Sequence, residues 1–259
     1  MTFIKNGKQE SFVKEPQPLT TNINTGGLDT SPPSIIATLF WALFLYIVPS
    51  LVASFGFGIY AGASGISDTQ GWLIKVETLL AMTFAVYLFV MPCVYALARH
   101  SDSHKSALNF LQLNKPTVKL LWFVVIVSAV FWLLMTIATY LLALEEEPFM
   151  QLLKNSSLPV WFVVLNTCIL APITEELVFR GWLFKRFALT RLGQTGAIAI
   201  TSLLFAAIHI QYSMAGIVFV FLLGLYFTWI RVKYQSTTLA ILAHAVCNSI
   251  TMVALYFYY

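Results

Sequence analysis

Long apolar runs recur along this chain with only short polar stretches between them, and that alternation leaves few folds open. A helix rises 1.5 Å per residue, so about 20 residues are needed to cross ~30 Å of hydrocarbon. Runs at 33–60, 73–98, 117–144, 159–179, 195–211, 214–231 and 237–257 fit that demand. With 59% hydrophobic residues, 10% charged residues and a mean hydropathy of +0.80, a water-soluble domain is excluded. The expected fold is therefore all-α, a polytopic transmembrane bundle of about seven spans. The fifth span is the weakest: it is short, contains Gly196, and is separated from the sixth only by Gln211–Ser213, which implies a tight helical hairpin.

Positive residues near span ends are retained on the cytoplasmic side. Placing the N-terminus inside puts Lys5, Lys8, Lys14, Arg99, Lys105, Lys115, Lys119, Arg180, Lys185, Arg186, Arg191, Arg231 and Lys233 on inner segments. Only Lys75 and Lys154 are left outside. The net charge of +4 is thus a topology signal spread over several loops, and no nucleic-acid partner is expected. Cys93, Cys168 and Cys247 lie in or beside hydrophobic spans without CxxC spacing, as free thiols would.

Three segments follow from composition. Residues 1–32 read as a flexible cytoplasmic tail without a signal peptide, 33–157 as N-terminal membrane helices, and 158–257 as a C-terminal membrane domain. Within them, His104 to Leu113 suits a short helix at the inner interface. Gly181 to Leu192, with Lys185, Arg186 and Arg191 among Trp182, Phe184 and Phe187, suits an amphipathic helix at the cytoplasmic face. The acidic run Glu145 to Glu147 reads as a solvated outer loop without a role.

An ionisable side chain at the bilayer centre costs about 2.5–3.5 kcal/mol on insertion scales, so it calls for a partner or a function. Spans one to three are nearly free of such groups. Span four ends in Glu175, Glu176 and Arg180, near the expected inner boundary; His209 lies in span five, and His244 and Asn248 lie in span seven. Residues four apart share a helix face, so Glu176 and Arg180 can pair, leaving Glu175 as the carboxylate without a local countercharge. His244 and Asn248 likewise share a face, and Phe205 stands one turn before His209, where its ring could order the imidazole.

A free carboxylate, two imidazoles and an amide supply what peptide hydrolysis needs: a water activator, positioning groups and an oxyanion partner. On this reading Glu175 deprotonates water, the histidines position it or hold a metal, and Asn248 stabilises the tetrahedral oxygen. Glu175, His209 and His244 are also a zinc-type ligand set. HExxH is absent, and spacing does not separate a zinc site from a metal-free one. Taken singly, an intramembrane His can serve helix packing and a Glu–Arg pair can serve as a lock. The conjunction carries the functional reading.

In this order, Glu175-Glu176-x-x-x-Arg180, Phe205-x-x-x-His209 and His244-x-x-x-Asn248 resemble the three motifs of the CPBP family, the CAAX-prenyl-protease and bacteriocin-processing membrane proteins. The resemblance covers roughly residues 158–255. It implies an intramembrane endopeptidase, a metalloprotease by the family's assignment, in which Glu175 and His209 activate water. His244 and Asn248 would stabilise the oxyanion, with Glu176 and Arg180 in support. Its substrate would be a prenylated or otherwise membrane-associated peptide or protein, met within the lipid bilayer, and a bacterial inner membrane is the expected location. Two other classes compete: a non-catalytic immunity or regulatory scaffold, for which the polar cluster only locks helices, and a proton-coupled transporter using Glu and His as a relay.

Overall fold

The computed structural model describes residues 33–102 and 106–257. The expected tail at 1–32, with Lys5, Lys8 and Lys14, lies outside the described residues, as do His104 and Lys105. Among the described residues six helices are long and apolar enough to cross a membrane: α1 (Ile35–Ala63), α2 (Val76–Ser101), α3 (Val118–Leu141), α4 (Val160–Ala188), α6 (Met214–Tyr234) and α7 (Thr237–Phe257). Between α4 and α6 lies a shorter apolar helix, α5 (Gly193–Ala207). Its 15 residues rise only about 22 Å, less than the hydrocarbon thickness. The protein is an all-α polytopic helical bundle and an integral membrane protein.

Lipid-facing surface is recognisable by large apolar side chains left open, such as Phe55, Val118, Leu134 and Leu141. In water such a surface would be an aggregation hazard, whereas in hydrocarbon it is the expected exterior. The helices differ sharply in how much they bury. In the most apolar window of α3, 11% of residues are buried, against 56% for α4. Helix α4 is accordingly the axis of the bundle and packs against α1, α2, α5, α6 and α7, while α3 reaches the bundle mainly through α7.

Helix α4 departs from the expected organisation. In place of a span ending near 179 and a separate amphipathic helix at the cytoplasmic face, one helix runs continuously to Ala188. Trp182, Leu183, Phe184 and Phe187 are buried within the bundle. Two of the three charges that suggested an interfacial helix, Lys185 and Arg186, lie against aromatic rings of the bundle. Lys185 Nζ donates to the Phe110 carbonyl at 3.3 Å and lies 4.1 Å above the Phe110 ring, while the Arg186 guanidinium lies 5.8 Å from the Trp182 ring. Glu175 consequently stands near the middle of a 29-residue helix rather than at an inner boundary.

Two turns of α4, Leu165–Leu170 and Leu177–Leu183, are wound as π-helix. The first precedes Pro172, which has no N–H to offer the carbonyl four residues earlier, and the second follows the Glu pair directly. The short helix Ala107–Phe110 occupies the expected inner-interface segment, but Ala107, Phe110 and Leu111 are buried against the bundle.

Candidate functional site

Glu175 and Glu176 are both buried on α4, and being adjacent they point about 100° apart. Each enters a different set of contacts. Glu176 Oε1 accepts from Arg180 Nη1 at 2.8 Å, one turn along the same helix. It also accepts from His244 Nδ1 at 2.9 Å. Two further guanidinium nitrogens donate to α6: Nε to Thr228 Oγ1 at 3.3 Å and Nη2 to the Gly224 carbonyl at 2.9 Å. Gly224 is needed for this approach, because a Cβ there would stand 3.2 Å from Ser202 Cβ and 3.4 Å from Arg180 Nη2. Arg180 is thus fully buried and bonded at Nε, Nη1 and Nη2, a fastener between α4, α6 and α7 by way of Glu176.

Glu175 faces the other way. Its Oε1 accepts from the Tyr87 hydroxyl of α2 at 3.0 Å. Its Oε2 is buried without a hydrogen-bond partner and stands 4.0 Å from His209 Nε2 and 4.0 Å from His244 Nε2. The ring tautomers follow from the opposite nitrogens. His209 Nδ1 lies 2.7 Å from the Phe205 carbonyl, which can only accept, so Nδ1 carries the proton. His244 Nδ1 likewise donates to the Glu176 carboxylate. In the neutral rings both Nε2 atoms therefore hold lone pairs, and three acceptors surround one small space. A molecule that brings protons, such as water, satisfies that arrangement; a direct hydrogen bond at 4.0 Å does not.

The same three side chains are the candidate metal ligands. Among the described residues no group of three His, Cys, Asp or Glu side chains is placed to hold a metal ion. The 4.0 Å separations are about twice a Zn–N bond of ~2.0–2.1 Å, so a shared ion would have to lie directly between Glu175 and both rings at once. The donor atoms suit a cation, but their placement does not close around one.

His209 is not inside a span. It sits two residues past the end of α5, in the turn leading to α6, and Phe205 on the last turn of α5 holds it from one side. Their rings are 4.9 Å apart; the Phe205 ring also meets His244 edge-on at 5.8 Å and carries the Arg180 guanidinium at 4.4 Å. On its other side His209 stacks with Tyr212 at 6.0 Å. The Tyr212 hydroxyl is pushed up to about 12, by burial first and then by the charges of Glu175 and Glu147, so it stays protonated. His244 is held against Phe227 of α6, the rings stacked at 4.6 Å.

Asn248 is placed differently from the other candidates. Its Nδ2 donates to the Thr167 carbonyl at 2.8 Å, within the first π turn of α4. One N–H of the amide is spent there and one remains. Glu175, His209 and His244 are brought together by Glu176, Arg180 and Phe205, while Asn248 stays one turn along α7 with its principal bond to the backbone of α4.

Sequence reading missed two participants, Tyr87 and Glu147, and one contact, that of Glu176 with His244. Tyr87 binds Glu175 from 88 residues away, and Glu176 bonds His244 across 68 residues as well as Arg180 within its own helix. The acidic run also acquires a contact: Glu147 accepts from the Ser213 backbone N–H at 2.9 Å and from the Ser213 hydroxyl at 2.6 Å, anchoring the turn that carries His209 and Tyr212. A mid-helix Tyr gives no signal by itself, since Tyr in a membrane protein reads first as an interface anchor. Cys247, by contrast, points towards the Ser128 carbonyl at 4.0 Å and does not contact the carboxylates.

Residues 156–250 match the family model described as type II CAAX prenyl endopeptidase Rce1-like. An uncharacterized 24.3 kDa protein of Escherichia coli is 40% identical over 109 residues, a match covering 40% of this chain and 49% of that protein. The chain thus spans about half the length of the curated relative it matches. No solved structure matches the chain. The matched stretch, residues 156–250, holds Glu175, His209 and His244, and through it the chain is similar to the Rce1-like type II CAAX prenyl endopeptidases.

Proposed function

We propose that this protein is an intramembrane endopeptidase in which Glu175 activates water to hydrolyse a peptide bond of a prenylated or otherwise membrane-associated substrate. The observation that carries the proposal is the unpartnered carboxylate oxygen Glu175 Oε2, buried at 4.0 Å from two imidazole Nε2 atoms. Water held there meets one carboxylate and two ring acceptors. Glu175 takes a proton from it as the oxygen bonds to the scissile carbonyl carbon, and the C=O π electrons move onto the carbonyl oxygen. Collapse of the tetrahedral intermediate breaks the C–N bond, and the proton held by Glu175 passes to the leaving amine. A general base of this kind contributes typically 10²–10⁴-fold.

The supporting residues act on geometry. Glu176 fixes the His244 tautomer, and the Phe205 carbonyl fixes that of His209, so both rings present Nε2 to the same space. Asn248 retains one amide N–H for the developing oxyanion. Membrane-embedded cleavage fits the similarity of residues 156–250 to type II CAAX prenyl endopeptidases, and a bacterial inner membrane is the proposed location.

The test is cleavage of a farnesylated CAAX-type peptide by the purified full chain in proteoliposomes. Wild-type protein should cleave it and Glu175→Gln should not, with both variants equally folded. If instead Glu175→Gln unfolds the bundle while the wild type cleaves nothing, the cluster is a helix lock and the scaffold reading replaces the protease.

A further inference from the structure

Hydrolysis generates an oxyanion, and the protons available to meet it can be followed one donor at a time. Arg180 spends three of its five N–H groups, one each at Nε, Nη1 and Nη2, on Thr228, Glu176 and Gly224, which ties the guanidinium to α4 and α6. Tyr87 gives its one hydroxyl proton to Glu175, and Asn248 gives one of its two to Thr167. Neutral His209 and His244 have spent their N–H groups on Phe205 and Glu176 and face the site as acceptors. Tyr46 of α1 is different. Its hydroxyl is buried and has no hydrogen-bond partner, yet it is close enough to Glu175, Glu176 and Arg180 to interact electrostatically with all three, and Tyr87 interacts with it in turn.

The Tyr46 ring is held in place by stacking on Phe179 at 5.9 Å. Phe179 meets Phe205 edge-on at 5.4 Å, and Phe205 contacts both histidine rings. The phenol is thus tied through packed rings to the histidines, on the side of the site that α1 covers. A buried donor left unpaired costs about 1–3 kcal/mol, so a fold keeps one at a site when a ligand completes the bond. Thr174 Oγ1 and Ser202 Oγ are also buried without partners. A phenol is the stronger acid and the better donor to an anion.

We infer that Tyr46 is a further catalytic residue, donating its hydroxyl proton in a hydrogen bond to the carbonyl oxygen of the scissile peptide and to the oxyanion that forms from it. No proton is transferred by Tyr46 in this step; the bond tightens as negative charge develops. The inference rests on the protease reading above, and it assigns α1 a direct part in the chemistry.

The experiment compares wild type, Tyr46→Phe and Glu175→Gln as full-length chains in proteoliposomes with a farnesylated CAAX-type peptide, and measures thermal unfolding of each. Loss of one oxyanion donor costs about 10²–10³-fold in kcat, and kcat/KM should fall by the same factor because the bond matters most in the transition state. Tyr46→Phe should unfold at no lower temperature than the wild type, since no protein partner is lost. An unchanged kcat, a change confined to KM, or a lowered unfolding temperature each overturns the role of Tyr46. A wild type that shows no Glu175-dependent cleavage overturns the protease reading and this inference with it, whereas a wild type that cleaves and a Tyr46→Phe variant that cleaves equally well removes this inference alone.

Discussion

The spanning helices among α4 to α7 are less apolar than α1 to α3, and the two groups do different work. The first group carries Glu175, Glu176, Arg180, His209 and His244, each placed by neighbours on another helix or turn of the same group. The second turns much of its surface to lipid, with α3 the extreme case, and contributes polar contacts one at a time: Tyr87 to Glu175, Ser128 to Tyr226, and Trp132 to Thr251. The lesson concerns cost. A buried ion pair in a membrane needs hydrogen-bonding neighbours to offset its desolvation, and that demand concentrates the ionisable groups where several helices converge on α4.

Glu175→Gln is the strongest way to sharpen the comparison. It should slow cleavage about 10²–10⁴-fold without lowering the unfolding temperature, because Oε2 has no protein hydrogen bond to lose. Arg180→Met should act on the fold instead, since it strands the buried Glu176 carboxylate, at a cost of about 3–5 kcal/mol. Unfolding in a denaturing detergent titration would report it, and adding Glu176→Gln should restore much of the loss. A single Arg180→Met variant as stable as wild type would break the claim that α4 is fastened through this network.

Smaller effects test the N-terminal group. Tyr87→Phe removes one hydrogen bond to Glu175, and a loss of about 1.5–3 kcal/mol for a bond to a charged group sets the upper limit. Since Glu175 keeps its charge, a fall of roughly tenfold in kcat is expected. On α3, Leu134 faces outward, and Leu134→Ala should change stability by no more than about 0.5 kcal/mol and leave cleavage untouched. A large loss there would mean that α3 is part of the machinery rather than its margin. Phenanthroline separates water activated by Glu175 alone, for which the cleavage rate is unchanged, from water activated on a bound metal, for which it falls. One equivalent of zinc in the purified protein, lost in His209→Ala, would establish the second.

Local relations were the legible ones. The i, i+4 spacing of Glu176 and Arg180 and of Phe205 and His209 follows from helical geometry, and so does the separation of Glu175 from its neighbour. What lay hidden depended on long-range placement. Glu176 meets His244 because α7 packs on α4, and Tyr87 reaches Glu175 because α2 does; neither contact has a local pattern to announce it. The end of α4 was obscured for a different reason. Gly181 followed by Lys185 and Arg186 has the composition of an interfacial helix, and only the Phe110 carbonyl and ring, 75 residues away in sequence, show how Lys185 enters the bundle. Continuing α4 to Ala188 moves Glu175 to mid-helix and brings it alongside a histidine that the assumed boundaries had placed towards the opposite membrane face.

The most direct measurement is a quantitative comparison of newly formed peptide termini in membranes from cells expressing the wild type or Glu175→Gln at matched abundance. The expected result is a set of termini that require Glu175 and map beside membrane segments or lipidated ends. Identical termini in the two membranes, with both proteins folded and any cellular phenotype retained by the variant, would contradict the assignment of Glu175 as the base of a membrane protease.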